Sequence, residues 1–107
     1  MKEINEDNFL EEVLESDIPV VVDLFTSWCM PCRRMGDMLD QLSQKYQGKA
    51  KFYKLDIDKN RELADKLNIG SVPTLLFFGR DGEIEAQVGL VSEEKVKSKI
   101  EKVLVRR

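Results

Sequence analysis

Apolar positions along the chain follow two rhythms, one of strands and one of helices. Pro19-Val-Val-Val-Asp-Leu-Phe25 is a continuous β-branched and aromatic run, and Thr74-Leu-Leu-Phe-Phe78 is a second. Runs of this length predict strands covered on both faces, as inside a parallel sheet. Between them, Met35, Met38, Leu39, Leu42 and Tyr46 recur at helical spacing and predict a long amphipathic helix ending near Gly48. A strand over Lys51 to Ile57 follows, then a short helix capped by Asp58 or Asn60 with Leu63 and Leu67 on one face. Upstream, Asn5 is the cap of a first helix over Asn5 to Ser16, with Phe9, Leu10, Val13 and Leu14 as its apolar side and a short strand at Lys2 to Ile4 before it. Downstream, the turn Gly79-Arg-Asp-Gly82 leads into Glu83 to Val88. There Ile84, Ala86 and Val88 alternate with polar residues, as in a half-exposed hairpin partner. Ser92 caps a last helix with Glu93 and Glu94 in its first turn, Val96, Ile100, Val103 and Leu104 on one face, and Arg106 and Arg107 at its end.

Strands alternating with helices, closed by a hairpin and a helix, predict an α/β fold: a mixed central sheet of four to five strands with helices on both faces. The length of 107 residues fits a single domain over 1–107, and a chain of this size buries roughly two-thirds of its unfolded surface. The 17 Lys plus Arg against 20 Asp plus Glu give a formal charge of −3, which weighs against a nucleic-acid binder. No stretch approaches the roughly 20 apolar residues of a membrane span, and the acidic Met1 to Glu12 segment lacks the features of a signal peptide. The expectation is a soluble, cytoplasmic monomer with no membrane or nucleic-acid partner.

The chain has no histidine, so Ser-His or Cys-His nucleophile pairs, His-ligated metals and imidazole proton shuttles are excluded. Both cysteines fall in Trp28-Cys-Met-Pro-Cys32, where the buried strand meets the long helix. Cysteines at i and i+3 across a first helical turn reach disulfide geometry, so the pair opens and closes without moving the fold. The positive end of the helix dipole and its unpaired N–H groups favour a thiolate at Cys29, the expected attacking sulfur. Cys32, one turn deeper, is suited to attack the mixed disulfide that Cys29 forms with a substrate. Pro31 fits the first helical turn, where its missing N–H costs nothing. Two alternatives stand beside this reading: half of a zinc site completed by a second chain, since tetrahedral zinc needs four ligands, and a pair of inert core cysteines.

The segments Val22-Asp-Leu-Phe-Thr-Ser-Trp-Cys-Met-Pro-Cys32, Lys54-Leu-Asp-Ile-Asp58, Val72-Pro-Thr-Leu-Leu-Phe-Phe78, Asp81-Gly82 and Val88-Gly89 together resemble the thioredoxin family over essentially the whole chain. The resemblance implies the thioredoxin fold and a disulfide reductase in which Cys29 attacks and Cys32 resolves. It implies that Asp23, whose hydration is lost if both faces of its strand are covered, is a general base for Cys32, with Lys54 as its partner. It also implies a cis bond before Pro73 and a substrate surface of Trp28, Met30, Pro31, Val72, Pro73, Gly89 and Leu90 around Cys29. The family carries no bound cofactor. Its electrons come from a thioredoxin reductase, either NADPH- and flavin-dependent or ferredoxin-linked, and its targets include ribonucleotide reductase, peroxiredoxin and methionine sulfoxide reductase.

Two positions depart from the family pattern. Met30 replaces the usual glycine between the cysteines, placing a flexible apolar side chain beside the nucleophile. Asp37, preceded by Gly36, stands where the family has a helix-kinking proline, so a kink is not forced here. The rival readings are a disulfide oxidase or isomerase, a glutaredoxin, and a module that binds partners through Trp28 and Val72 without turnover.

Overall fold

The computed structural model describes residues 1–105. The two apolar runs become strands β2 (Val20–Phe25) and β4 (Thr74–Phe78), and they pair antiparallel at the heart of a five-stranded sheet. The other strands are β1 (Lys2–Ile4), β3 (Lys51–Asp56) and β5 (Ile84–Val88), and the spatial order is β1-β3-β2-β4-β5. β1, β3 and β2 run parallel, whereas β4 and β5 form an antiparallel hairpin. β2 is the central strand. Its continuous apolar run has that origin, because a central strand packs a layer against each of its faces.

One layer consists of α1 (Met30–Lys45) and α3 (Glu93–Val105). Met35, Leu39, Leu42, Val96, Ile100 and Val103 meet Val21, Leu75 and Phe77 of the sheet there, all buried. The opposite layer contains α2 (Arg61–Lys66) and the turn near the start of the chain, where Phe9 and Val13 pack on Val20, Val22, Leu24 and Phe78. The Phe9 and Phe78 rings meet edge to face at 5.9 Å. The Ser92 cap forms as expected, its hydroxyl accepting from the Lys95 N–H at 3.2 Å. Arg106 and Arg107, assigned to the end of the last helix from the sequence, lie outside the described residues.

Three expectations need correction. The first helix is only a short π-helical turn over Leu10–Leu14, closed by the Glu15 N–H on the Leu10 carbonyl at 2.9 Å. Asn5 does accept from the N–H groups of Asp7 and Asn8, but this capping makes a preceding turn rather than a full helix. The wider winding sends Phe9 and Val13 inward and leaves Leu10 and Leu14 exposed. Asn60 occupies the N-cap of α2, yet its side chain donates to the Asp56 carbonyl and accepts from the Glu6 N–H, tying two loops together instead of capping.

The alternation in β5 is also inverted. Ile84, Ala86 and Val88 face outward, and the half-buried positions are Glu85 and Gln87. Those two lie on the α3 side, where the Lys99 ammonium pairs with Glu85 at 3.7 Å. Two backbone carbonyls of β5 are engaged by side chains, Ala86 by Lys99 and Val88 by Gln87.

Candidate active site

Cys29 occupies the N-cap of α1 in an extended conformation, and its sulfur accepts from the Cys32 N–H at 3.2 Å. That contact uses one of the unpaired donors at the helix start, which favours negative charge on the sulfur once the thiol is free. The two cysteines are joined as a disulfide with Cα atoms 5.2 Å apart, and Pro31 sits within the first turn. α1 then runs unbroken from Met30 to Lys45 through Gly36 and Asp37.

Whole-residue exposure barely separates the two cysteines, at 6% for Cys29 and 4% for Cys32. Their surroundings do. Cys29 lines an outer groove with Trp28, Met30, Pro31 and Val72. Cys32 lines an inner cavity of about 340 Å³ with Asp23, Gly36, Asp40 and Lys54. Thr26 borders both, and its hydroxyl is buried without a hydrogen-bond partner.

The outer groove is the more apolar in character. Trp28 and Met30 are among the most exposed large hydrophobic side chains, at 73% and 63%. Trp28 is nonetheless fixed, since its indole N–H donates to Asp58 Oδ2 at 3.1 Å. Asp58 also lies 3.6 Å from the Arg61 guanidinium. Ile57, Asp58, Arg61, Gly70 and Ser71 complete the groove, and the sequence reading named none of them as site residues. Trp28 and Asp58 are thirty positions apart and meet only because β2 and β3 are neighbours, so no local pattern announces the contact.

The Val72–Pro73 peptide bond is cis, in agreement with the resemblance, and Pro73 is buried. Val72 reaches the groove. Gly89 joins this region through its backbone, donating to the Pro73 carbonyl at 2.8 Å with φ of 89°, a conformation that suits glycine. Leu90 is 42% exposed and lines neither concavity.

In the inner cavity, Asp23 is paired in register with Lys54 on one side and Leu75 on the other, and it is 2% exposed. Its Oδ1 has no hydrogen-bond partner. Loss of hydration pushes its pKa up to about 7; Lys54 opposes this rise and Asp40 adds to it. Lys54 acts across space, its ammonium lying over the Phe25 ring at 5.7 Å from the centroid rather than in an ion pair with Asp23. Among the described residues no cluster of three or more His, Cys, Asp or Glu is placed to hold a metal ion, and no helix is long and apolar enough to cross a membrane.

A redox-capable cysteine pair at a helix start, beside a cis-proline and backed by a buried acid, is therefore set on this five-stranded sheet. The thioredoxin family model matches residues 1–102. The chain belongs to the thioredoxin family. It is 38% identical to a thioredoxin of Synechocystis sp. over 95% of each chain. It is also 38% identical to the chloroplastic M-type thioredoxin of Spinacia oleracea, over 97% of this chain and 58% of that protein. The structure of chloroplastic thioredoxin z superposes with a TM-score of 0.89 over 96% of this chain and 93% of that one, at 23% identity, a likeness of fold. Like other thioredoxins, the protein is a thiol–disulfide oxidoreductase of the protein-disulfide reductase type.

Proposed function

We propose that this single-domain thioredoxin reduces protein disulfides with Cys29 as nucleophile, Cys32 as resolving thiol and Asp23 as the base that takes the resolving proton. The Cys29 thiolate attacks one sulfur of a target disulfide, forming a mixed disulfide and releasing the other sulfur as a thiolate. Asp23 accepts the proton of Cys32, whose sulfur then attacks Cys29. This releases the second target thiolate and leaves the Cys29–Cys32 disulfide, so two electrons have passed to the target. Lys54 moderates the charge that Asp23 carries. Trp28, Met30, Pro31 and Val72 form the docking surface, with Pro73, Gly89 and Leu90 at its margin.

The observation that carries this reading is the division of the cysteines between two concavities, an apolar outer one and an inner one containing the buried acid. The protein works without a bound cofactor and as a monomer in the cytoplasm. A thioredoxin reductase, NADPH- and flavin-dependent or ferredoxin-linked, restores the dithiol. Ribonucleotide reductase, peroxiredoxin and methionine sulfoxide reductase are its expected substrates.

The test is the redox equilibrium of Cys29–Cys32 against defined thiol buffers, read by alkylation and mass. A potential at or below the glutathione poise of roughly −220 to −260 mV supports the reductase reading, and one above about −180 mV points instead to an oxidase or isomerase.

A further inference from the structure

Cys32, Gly36 and Asp40 are spaced four residues apart on α1 and so form a row along one helix face. All three line the inner cavity with Asp23. A Cβ placed on Gly36 would stand 3.8 Å from Asp23 Oδ2, so the missing side chain leaves open space directly against the carboxylate. Asp40 lies at the solvent end of the row and is 53% exposed. The sequence from thiol to gap to exposed carboxylate thus runs from the protein interior to the surface, with Oδ2 of Asp23 facing the gap and Oδ1 of the same carboxylate buried without a hydrogen-bond partner.

We propose that Gly36 and Asp40 form the solvent door of Asp23, through which the proton taken from Cys32 leaves the protein. The inference rests on Asp23 being the base for Cys32. Gly36 supplies room for water against the carboxylate, and Asp40 supplies a partly exposed negative charge at the mouth, paired with the Met1 amine. The step balances without any other reactant. Cys32–SH and Asp23 carboxylate become Cys32 thiolate and Asp23 carboxylic acid, the thiolate displaces the leaving sulfur from Cys29, and Asp23 returns its proton to water in the gap. Water fits because the cavity is roomy and polar groups of Asp23, Thr26, Asp40 and Lys54 line it. Asp40 acts through Asp23 and is a positioning residue.

The charged and titratable groups lining the cavity around Asp23 are Arg33, Asp37 and Asp40 on α1, Lys54 on β3 and the amine of Met1, which pairs with Asp40. On its other flank β4 presents Leu75. Asp37 belongs to a neighbouring helix face, one residue off the row, and serves as the internal comparison.

The reduced protein is mixed rapidly with an aromatic nitrobenzoate disulfide. Cys29 releases the first coloured thiolate and Cys32 the second, so the second phase reports the resolving step as a function of pH. Asp40→Asn removes a like charge and lowers the midpoint of that phase by roughly half a pH unit, about threefold in rate on the limb. Gly36→Ala takes water space from Asp23 and raises the midpoint. Its Tm rises too, since alanine is the better helix former, so the shift does not reflect unfolding. Asp37→Asn moves the midpoint less than Asp40→Asn. An unmoved midpoint in Asp40→Asn, shifts of the same sign in Asp40→Asn and Gly36→Ala, or an equal effect from Asp37→Asn overturns the door. Asp23→Asn separates the two levels. If it leaves the midpoint in place, the base reading fails and the door with it; if it abolishes the midpoint while Asp40→Asn changes nothing, the door alone fails.

Discussion

The outer groove and the inner cavity sit on either side of one disulfide and differ in nearly every physical respect. The groove is built from exposed apolar side chains, Trp28 and Met30 foremost, held by a hydrogen bond from the indole to Asp58. The cavity is built around a buried acid with an unsatisfied oxygen, a lysine acting across space and a glycine gap. The first suits contact with a macromolecule, the second the handling of a proton. A two-step exchange needs both, and the three-residue spacing of the cysteines lets one helical turn serve each side.

Breaking either side should give distinguishable defects. The largest effect is expected at the sulfurs. Cys29→Ser abolishes disulfide reduction, whereas Cys32→Ser also stops turnover but accumulates a covalent adduct with a disulfide-bonded target, visible as added mass. Adduct formation by Cys29→Ser instead would reverse the assignment.

Next in size is Asp23→Asn, read as stability of the oxidised protein. The folded pKa of Asp23 is raised from 3.8 to about 7, so the folded state binds the proton more tightly than the unfolded chain does. Stability therefore falls as pH rises between those values, and the penalty is complete above the folded pKa. Asp23→Asn should be more stable than the parent at pH 8 by up to roughly 4 kcal/mol, and the difference should close below pH 4. Urea unfolding across that range measures it, and a pH-independent difference would contradict the assigned burial cost.

On the groove side the effects are smaller. Met30→Gly removes an exposed apolar contact and should raise KM for protein disulfides by roughly three- to tenfold, about 1 kcal/mol, with a shift in potential. Unchanged kinetics and potential would remove Met30 from the docking surface. Asp58→Ala frees the indole at a cost of about 1 kcal/mol or less. It should change Trp28 fluorescence and raise KM modestly, with Asp58→Asn restoring both because it keeps an acceptor.

Much of this architecture is legible in the sequence. The unbroken runs in β2 and β4 report strands with two covered faces, and two cysteines at i and i+3 before an amphipathic helix report the redox pair. What escapes the sequence has a physical cause in each case. The π-helical turn at Leu10–Leu14 differs from an α-helix by one hydrogen-bond register, and the apolar spacing of Phe9, Leu10, Val13 and Leu14 suits either. The inverted β5 follows from which face α3 covers, a tertiary fact. The Trp28–Asp58 bond and the Gly36–Asp23 approach join residues from different elements, and only the fold creates them. Leu90, placed near Cys29 by resemblance alone, is 42% exposed and is not among the residues that line the groove.

The outward-facing residues of β5 have a consequence for the protein in crowded solution. A border strand with Ile84 and Val88 exposed is a template on which a second molecule can zip, the first step of fibrous self-association. Here Lys99 and Gln87 bond to strand carbonyls, and Lys99 brings a charge that an incoming strand would have to desolvate. Those two side chains thus occupy carbonyls that an incoming strand would otherwise use, so the edge offers fewer free acceptors than its apolar residues suggest.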